Sequence, residues 1–121
     1  MNRCKLGKRG EKRAADYLQK RGYTILAQNF RTPLGEIDII AQEKGTIVFI
    51  EVKTRSSVVF GQAEEAVNLS KQHQISKVAQ IYLKAKGKEN QDCRFDVVAV
   101  YEGNEKPAIE LIKNAFYLGN W

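Results

Sequence analysis

The residues on which many enzymes build their chemistry are scarce in this chain. Its single histidine, His73, has no partner histidine at metal-ligand spacing, which argues against His-based catalysis. It lies in a polar helical stretch and reads as a solvated or locally hydrogen-bonded side chain. The two cysteines, Cys4 and Cys93, form neither a CxxC pair nor a Cys/His cluster, so a disulfide framework and a structural zinc site are both unsupported, and both residues read as free thiols. Long apolar runs are also missing. Stretches such as Val97 to Tyr101 are far too short to span a bilayer. Met1-Asn2-Arg3-Cys4-Lys5 leads into a charged helix, not an apolar signal segment. The expectation is a cytoplasmic protein with no membrane partner. With no internal repeat, linker or low-complexity segment, residues 1–121 read as one domain.

What the chain does have is positive charge. Twenty basic residues against fourteen acidic ones give a net charge of +6, which suits a polyanionic partner such as nucleic acid. With 43% hydrophobic and 28% charged residues the composition is that of a globular domain.

Charge also turns up where a strand should not carry it. Gly35-Glu36-Ile37-Asp38-Ile39-Ile40 and Val48-Phe49-Ile50-Glu51-Val52-Lys53 are apolar strand-like runs interrupted by acids and a lysine. Ions buried in a sheet are costly unless paired, hydrogen-bonded or bound to a metal. A two-residue Lys44-Gly45 turn closes the runs into an antiparallel hairpin that sets Asp38 opposite Glu51 and Glu36 opposite Lys53. Two like charges so placed repel, so a cation belongs between Asp38 and Glu51. Alternation puts Phe49, Glu51, Lys53 and Arg55 on one face and Val48, Ile50 and Val52 on the other. A hard divalent cation such as Mg²⁺ suits these oxygen ligands and leaves positions open for a phosphate. The competing reading is an exposed charge ladder on an edge hairpin, worth about 0 to 1 kcal/mol per pair. The apolar residues on either side favour a central sheet.

Elsewhere, residues 6–21 read as an amphipathic helix ended by Gly22, with Glu11 at the edge of its apolar stripe and Arg9, Arg13 and Lys20 on the opposite face. Strands are expected at 23–29, 36–42 and 46–53, the first two joined by a loop over 30–34. A polar segment over 54–62 and a short helical turn at 63–68 precede a helix over 70–86 with Ser70 as its N-cap. Two more strands follow at 94–101 and 108–113, and an aromatic-rich end at 115–121 packs down. A strand, crossover helix and strand give a parallel pair, so the fourth strand lies parallel to the third in a mixed α/β sheet of order αβββαββ.

A helix glutamate, an aspartate on the second strand and Glu-x-Lys on the third resemble the PD-(D/E)XK nuclease superfamily. Gly10-Glu11 with Ala14 and Tyr17-Leu18, Gly35-Glu36-Ile37-Asp38-Ile39-Ile40, Phe49-Ile50-Glu51-Val52-Lys53-Thr54-Arg55, Lys71, Arg94-Phe95-Asp96-Val97-Val98 and Ala115-Phe116 look more closely like the YraN family of small bacterial proteins. Ile37 stands where the superfamily's name has proline. The resemblance covers nearly the whole chain and implies a three-layer restriction-endonuclease-like fold, a central five-stranded mixed sheet flanked by helices. It also implies a likeness to archaeal-type Holliday junction resolvases, which are metal-dependent and dimeric.

What it implies of the site is a Mg²⁺ or Mn²⁺ ion on Asp38, Glu51, the Val52 carbonyl and Glu11, with Lys53 orienting or deprotonating the attacking water. The implied activity is endonucleolytic hydrolysis of DNA, branched DNA included; the alternative is a nucleic-acid-binding module without useful turnover. Arg31, Arg55 and Lys71 near the active edge are candidates for holding phosphates, as are Arg9 and Arg13 on the helix. Glu36 reads as an ion-pair partner of Lys53 or Arg55. Arg94 and Asp96 share a strand face and read as a structural pair, and the Tyr and Phe residues read as core.

Overall fold

The computed structural model describes residues 3–55, 68–102 and 108–116. Helix α1 (Arg3–Lys20) leads to strands β1 (Thr24–Thr32), β2 (Gly35–Glu43) and β3 (Thr46–Arg55), then helix α2 (Leu69–Lys86) and strands β4 (Cys93–Tyr101) and β5 (Ala108–Phe116). The sheet order is β1-β2-β3-β4-β5. Every neighbouring pair is antiparallel except β3 with β4, the pair that α2 connects, as the crossover rule requires.

Local chemistry sets the boundaries. Helix α1 stops where Gly22, at φ +93°, turns the chain, and the Tyr23 N–H donates back to the Leu18 carbonyl at 3.0 Å. The Lys44-Gly45 turn has φ of +49° and +83°, the two positive values that a type I′ hairpin needs. Several boundaries depart from the sequence expectation, β3 among them, which runs on to Arg55. Strand β1 runs on to Thr32, so the expected loop over 30–34 is only a Pro33-Leu34 turn, pinned by the Leu34 N–H donating to Thr32 Oγ1 at 3.1 Å. The N-cap of α2 is Asn68, whose Oδ1 accepts the Lys71 N–H at 2.9 Å; Ser70 lies inside the first turn. Helix α1 begins at Arg3 and β5 continues to Phe116. Most of the expected 63–68 turn and the end of the aromatic segment, 117–121, lie outside the described residues.

Two apolar cores sandwich the sheet. On the α2 side Ile75, Val78, Tyr82 and Leu83 pack against Ile40, Ile47, Phe49 and Phe95; on the α1 side Ala14 and Leu18 pack against Ile39, Val48, Ile50 and Val98. The three-layer arrangement follows from β3 being apolar on both faces. Among the described residues Tyr23, Phe49, Tyr82, Phe95 and Tyr101 are core, and Tyr82 sits edge-on to Phe30 and Phe49, at 5.3 and 6.1 Å between ring centres. Gly10 allows the tightest approach, since a Cβ there would lie 2.3 Å from Thr54 Oγ1 on β3. A Cβ at position 10 would force either the Thr54 side chain or α1 to shift.

At the end of the sheet that carries the Lys44-Gly45 turn, Arg94 ties three segments together. Its Nε donates to Asp96 at 3.0 Å and its Nη2 to Glu43 and Tyr23 at 2.7 Å each. Asp96 also accepts from the Tyr23 hydroxyl and the Asn114 N–H. These bonds satisfy a carboxylate whose side chain is 0% exposed. Cys93, at the start of β4, is a free thiol that burial pushes above its usual pKa.

Helix propensity alone makes Gly10→Ala stabilising by about 1 kcal/mol. The Thr54 contact reverses that sign, so thermal melts will show Gly10→Ala destabilised and Gly10→Ala with Thr54→Ala restored. Arg94→Met strands Asp96 and lowers stability by about 3 to 5 kcal/mol in denaturant titrations.

Candidate metal and phosphate site

The site forms where β2 and β3 part. Their ladder runs from Glu43–Thr46 to Ile39–Ile50 and ends there, while β3 stays paired with β4 as far as Arg55. The expected register is correct over those five pairs, but Asp38 and Glu51 are not a further rung. Instead Asp38 Oδ2 accepts the Val52 N–H at 2.8 Å, satisfying a donor that a continued ladder would have used. A side chain replaces the missing backbone partner.

Both β1 and β2 also change face at this point. Ile37 packs on the α2 side and Ile39 on the α1 side, while Ala27 and Phe30 both pack on the α2 side; strict alternation permits neither. Between Ala27 and Phe30 is Asn29, at φ +53°. The reversal gathers acids from three positions: one carboxylate oxygen each from Glu11 (α1), Glu36 and Asp38 (β2) lies within 4.8 Å of the others. Glu51 on β3, 8% exposed, adds its field to the group and is flanked by Lys53 Nζ at 3.5 Å and Lys71 Nζ at 3.8 Å.

Burial is the main cause that pushes the Asp38 carboxyl up to about 7, with Glu51 the next cause and the Val52 N–H opposing. Glu11 is raised too, by burial first, against a hydrogen bond from Asn29. Glu11, Glu36 and Asp38, with Glu51 beside them, are a donor set of hard oxygens whose mutual repulsion a divalent cation would remove. The donor chemistry therefore fits Mg²⁺ or Mn²⁺, and the Val52 backbone is at the site through its bond to Asp38.

Several expected residues find different surroundings. Glu36 pairs with neither Lys53 nor Arg55: it receives Arg31 Nε at 3.2 Å across the β1–β2 ladder and stands among the acids. Its position two residues before Asp38, on the strand beside the turn, was the one signal of this in the sequence. Arg9 and Arg13 do not form a purely solvated face; Glu102, just past β4, takes Arg9 Nη2 at 3.7 Å and pairs with Arg13. Arg31 and Arg55 are exposed. His73 is half-buried on α2 and is not in the acid cluster.

A five-stranded mixed sheet with helices on both faces, ordered αβββαββ, defines an α/β protein consistent with the restriction-endonuclease-like fold. Residues 10–100 match the uncharacterised protein family UPF0102, and the chain belongs to that family, the YraN-like proteins. It is 50% identical over 118 residues to a UPF0102 protein of Caldicellulosiruptor saccharolyticus, covering 96% of this chain and all of the relative. A UPF0102 protein of Thermodesulfovibrio yellowstonii is 52% identical over 117 residues, covering 97% of this chain and all of that protein. Among the described residues no helix is long and apolar enough to cross a membrane.

Asp38 carries a pH signature. Its folded pKa, about 7, is above the ordinary 3.8, so the stability gained from its protonated form is complete below about pH 4 and is lost as pH rises through 7. In chelator, the melting temperature of the wild type will fall over that window. Asp38→Asn, neutral throughout and still an acceptor for the Val52 N–H, will flatten the fall; parallel profiles would refute the assignment.

Proposed function

We propose that this protein is a divalent-cation-dependent endonuclease that hydrolyses DNA phosphodiester bonds, with branched DNA the substrate class to test first. The carrying observation is the meeting of Glu11, Glu36 and Asp38 at the parted strands, with Glu51 and its two lysines alongside, in a chain of net charge +6. An acidic pit on a basic chain suits a polyanion that must reach a cation.

Asp38, Glu51, Glu11 and the Val52 carbonyl would hold the ion, which supplies Lewis acidity and a lowered pKa for bound water. Lys53, beside Glu51, would orient the attacking water and stabilise the negative charge that grows on the phosphate. Lys71 and the exposed Arg31 and Arg55 would hold neighbouring phosphates. Arg9 and Arg13 join them only if a phosphate displaces Glu102. The reading agrees with the resemblance to PD-(D/E)XK nucleases and archaeal-type Holliday junction resolvases. A two-fold dimer in the cytoplasm belongs to the same proposal, since a four-way junction presents two equivalent strands.

The test is a cleavage screen over duplex, single-stranded, flap and four-way-junction DNA with Mg²⁺ or Mn²⁺. Asp38→Asn and Lys53→Ala should each lower the rate by about 100-fold or more. Cleavage that survives both substitutions refutes the site. Salt-dependent DNA binding without cleavage of any substrate selects the alternative, a binding module.

A further inference from the structure

We infer that Asn29 is a positioning residue of this site, whose carboxamide holds Glu11 of α1 and Glu36 of β2 at their mutual distance before a cation arrives. The inference rests on the metal-site reading above. Oriented with its nitrogen toward the acids, the one orientation that satisfies both ends of the amide, Asn29 donates to Glu36 Oε1 at 2.9 Å and to Glu11 Oε2 at 3.2 Å. A carboxamide has two N–H groups, one for each carboxylate, and carries no charge. No other residue of this size bridges two anions without adding a third or introducing a full cation.

The backbone makes the choice of asparagine informative. Asn29 sits at φ +53° where β1 changes face, a conformation that glycine, asparagine and aspartate adopt readily. Glycine would serve the backbone alone. Aspartate would serve it while adding a charge beside Glu11, Glu36 and Asp38. Only asparagine meets both the backbone and the donor requirement. The side chain is not there for packing either, because Asn29 is exposed, at the mouth of a groove between α1 and β1 that Glu11, Asp16 and Gln28 also line. Its register position is opposite Asp38, between the pairs Gln28–Ile39 and Phe30–Ile37. The left-handed residue, the face reversal and the acid cluster thus share one rung of the sheet.

Asn29→Gly separates the two roles, since it keeps the backbone and removes the donors. Calorimetric titration with Mn²⁺ should show affinity about tenfold weaker than wild type, with the melting temperature little changed. In a Glu11→Gln, Glu36→Gln background Asn29→Gly should add almost nothing, because its effect passes through those acids. In the wild-type backbone, the Asn29 side-chain NH₂ resonances should move when Glu11→Gln or Glu36→Gln is introduced, a readout that does not depend on any variant of position 29 folding. Wild-type Mn²⁺ affinity in Asn29→Gly, an undiminished loss in the double-Gln background, or NH₂ resonances indifferent to both acids overturns the inference. Mn²⁺ binding that disappears in Asp38→Asn but is intact in Asn29→Gly overturns this inference alone. Failure of the wild type to bind Mn²⁺ overturns the metal-site reading with it.

Discussion

One hydrogen bond fixes the layout of the site: the Val52 N–H donating to Asp38 Oδ2. Strand β3 leaves β2 after Ile50, yet it stays in the sheet through β4, and on the β2 side its backbone loses a partner at that point. An unsatisfied buried N–H costs about 1 to 3 kcal/mol. Asp38 removes that cost and in doing so is pinned beside Glu51, where burial and like charge hold its pKa up. The same bond that ends the ladder sets up the electrostatic tension that a cation would release.

The sheet is closed at one end and open at the other. At the turn end Arg94 binds Glu43, Asp96 and Tyr23 in a fully bonded network, so β2, β4 and the start of β1 cannot separate. At the other end the strands diverge and carry the acids. Rigidity at the closed end is what lets charges be held apart from their preferred partners at the open one. Gly10 completes the geometry, for its bare Cα lets α1 settle onto Thr54 and brings Glu11, the next residue, within reach of β2.

The distribution of positive charge is equally selective. Arg94, Arg9 and Arg13 are committed to internal carboxylates, Asp96, Glu43 and Glu102, whereas Lys53 and Lys71 converge on the buried Glu51. Arg31 pairs with Glu36 while 74% exposed, an arrangement that water weakens.

The periodicity of β2 and β3, the Lys44-Gly45 turn and the helix–strand order were all legible in the sequence, because local patterns of apolar residues and turn chemistry respond to neighbours a few positions away. That was enough to bring Asp38, Glu51 and Lys53 together and to put Glu11 on the inner edge of its helix. It was not enough for Glu36, read as a partner of Lys53 when alternation was carried past Ile39. Nor could it give Asn29 a role, or show that Glu102 occupies Arg9 and Arg13. A side-chain period continues only while the ladder does, and where a ladder ends depends on partners distant in the sequence, here the Asp38 carboxylate that accepts the Val52 N–H. The sequence by itself determined which residues could be acids in a sheet. Which of those acids meet is set in three dimensions, by β2 leaving β3 after Ile39–Ile50 and by the Asp38 carboxylate taking the Val52 N–H in place of a ladder partner.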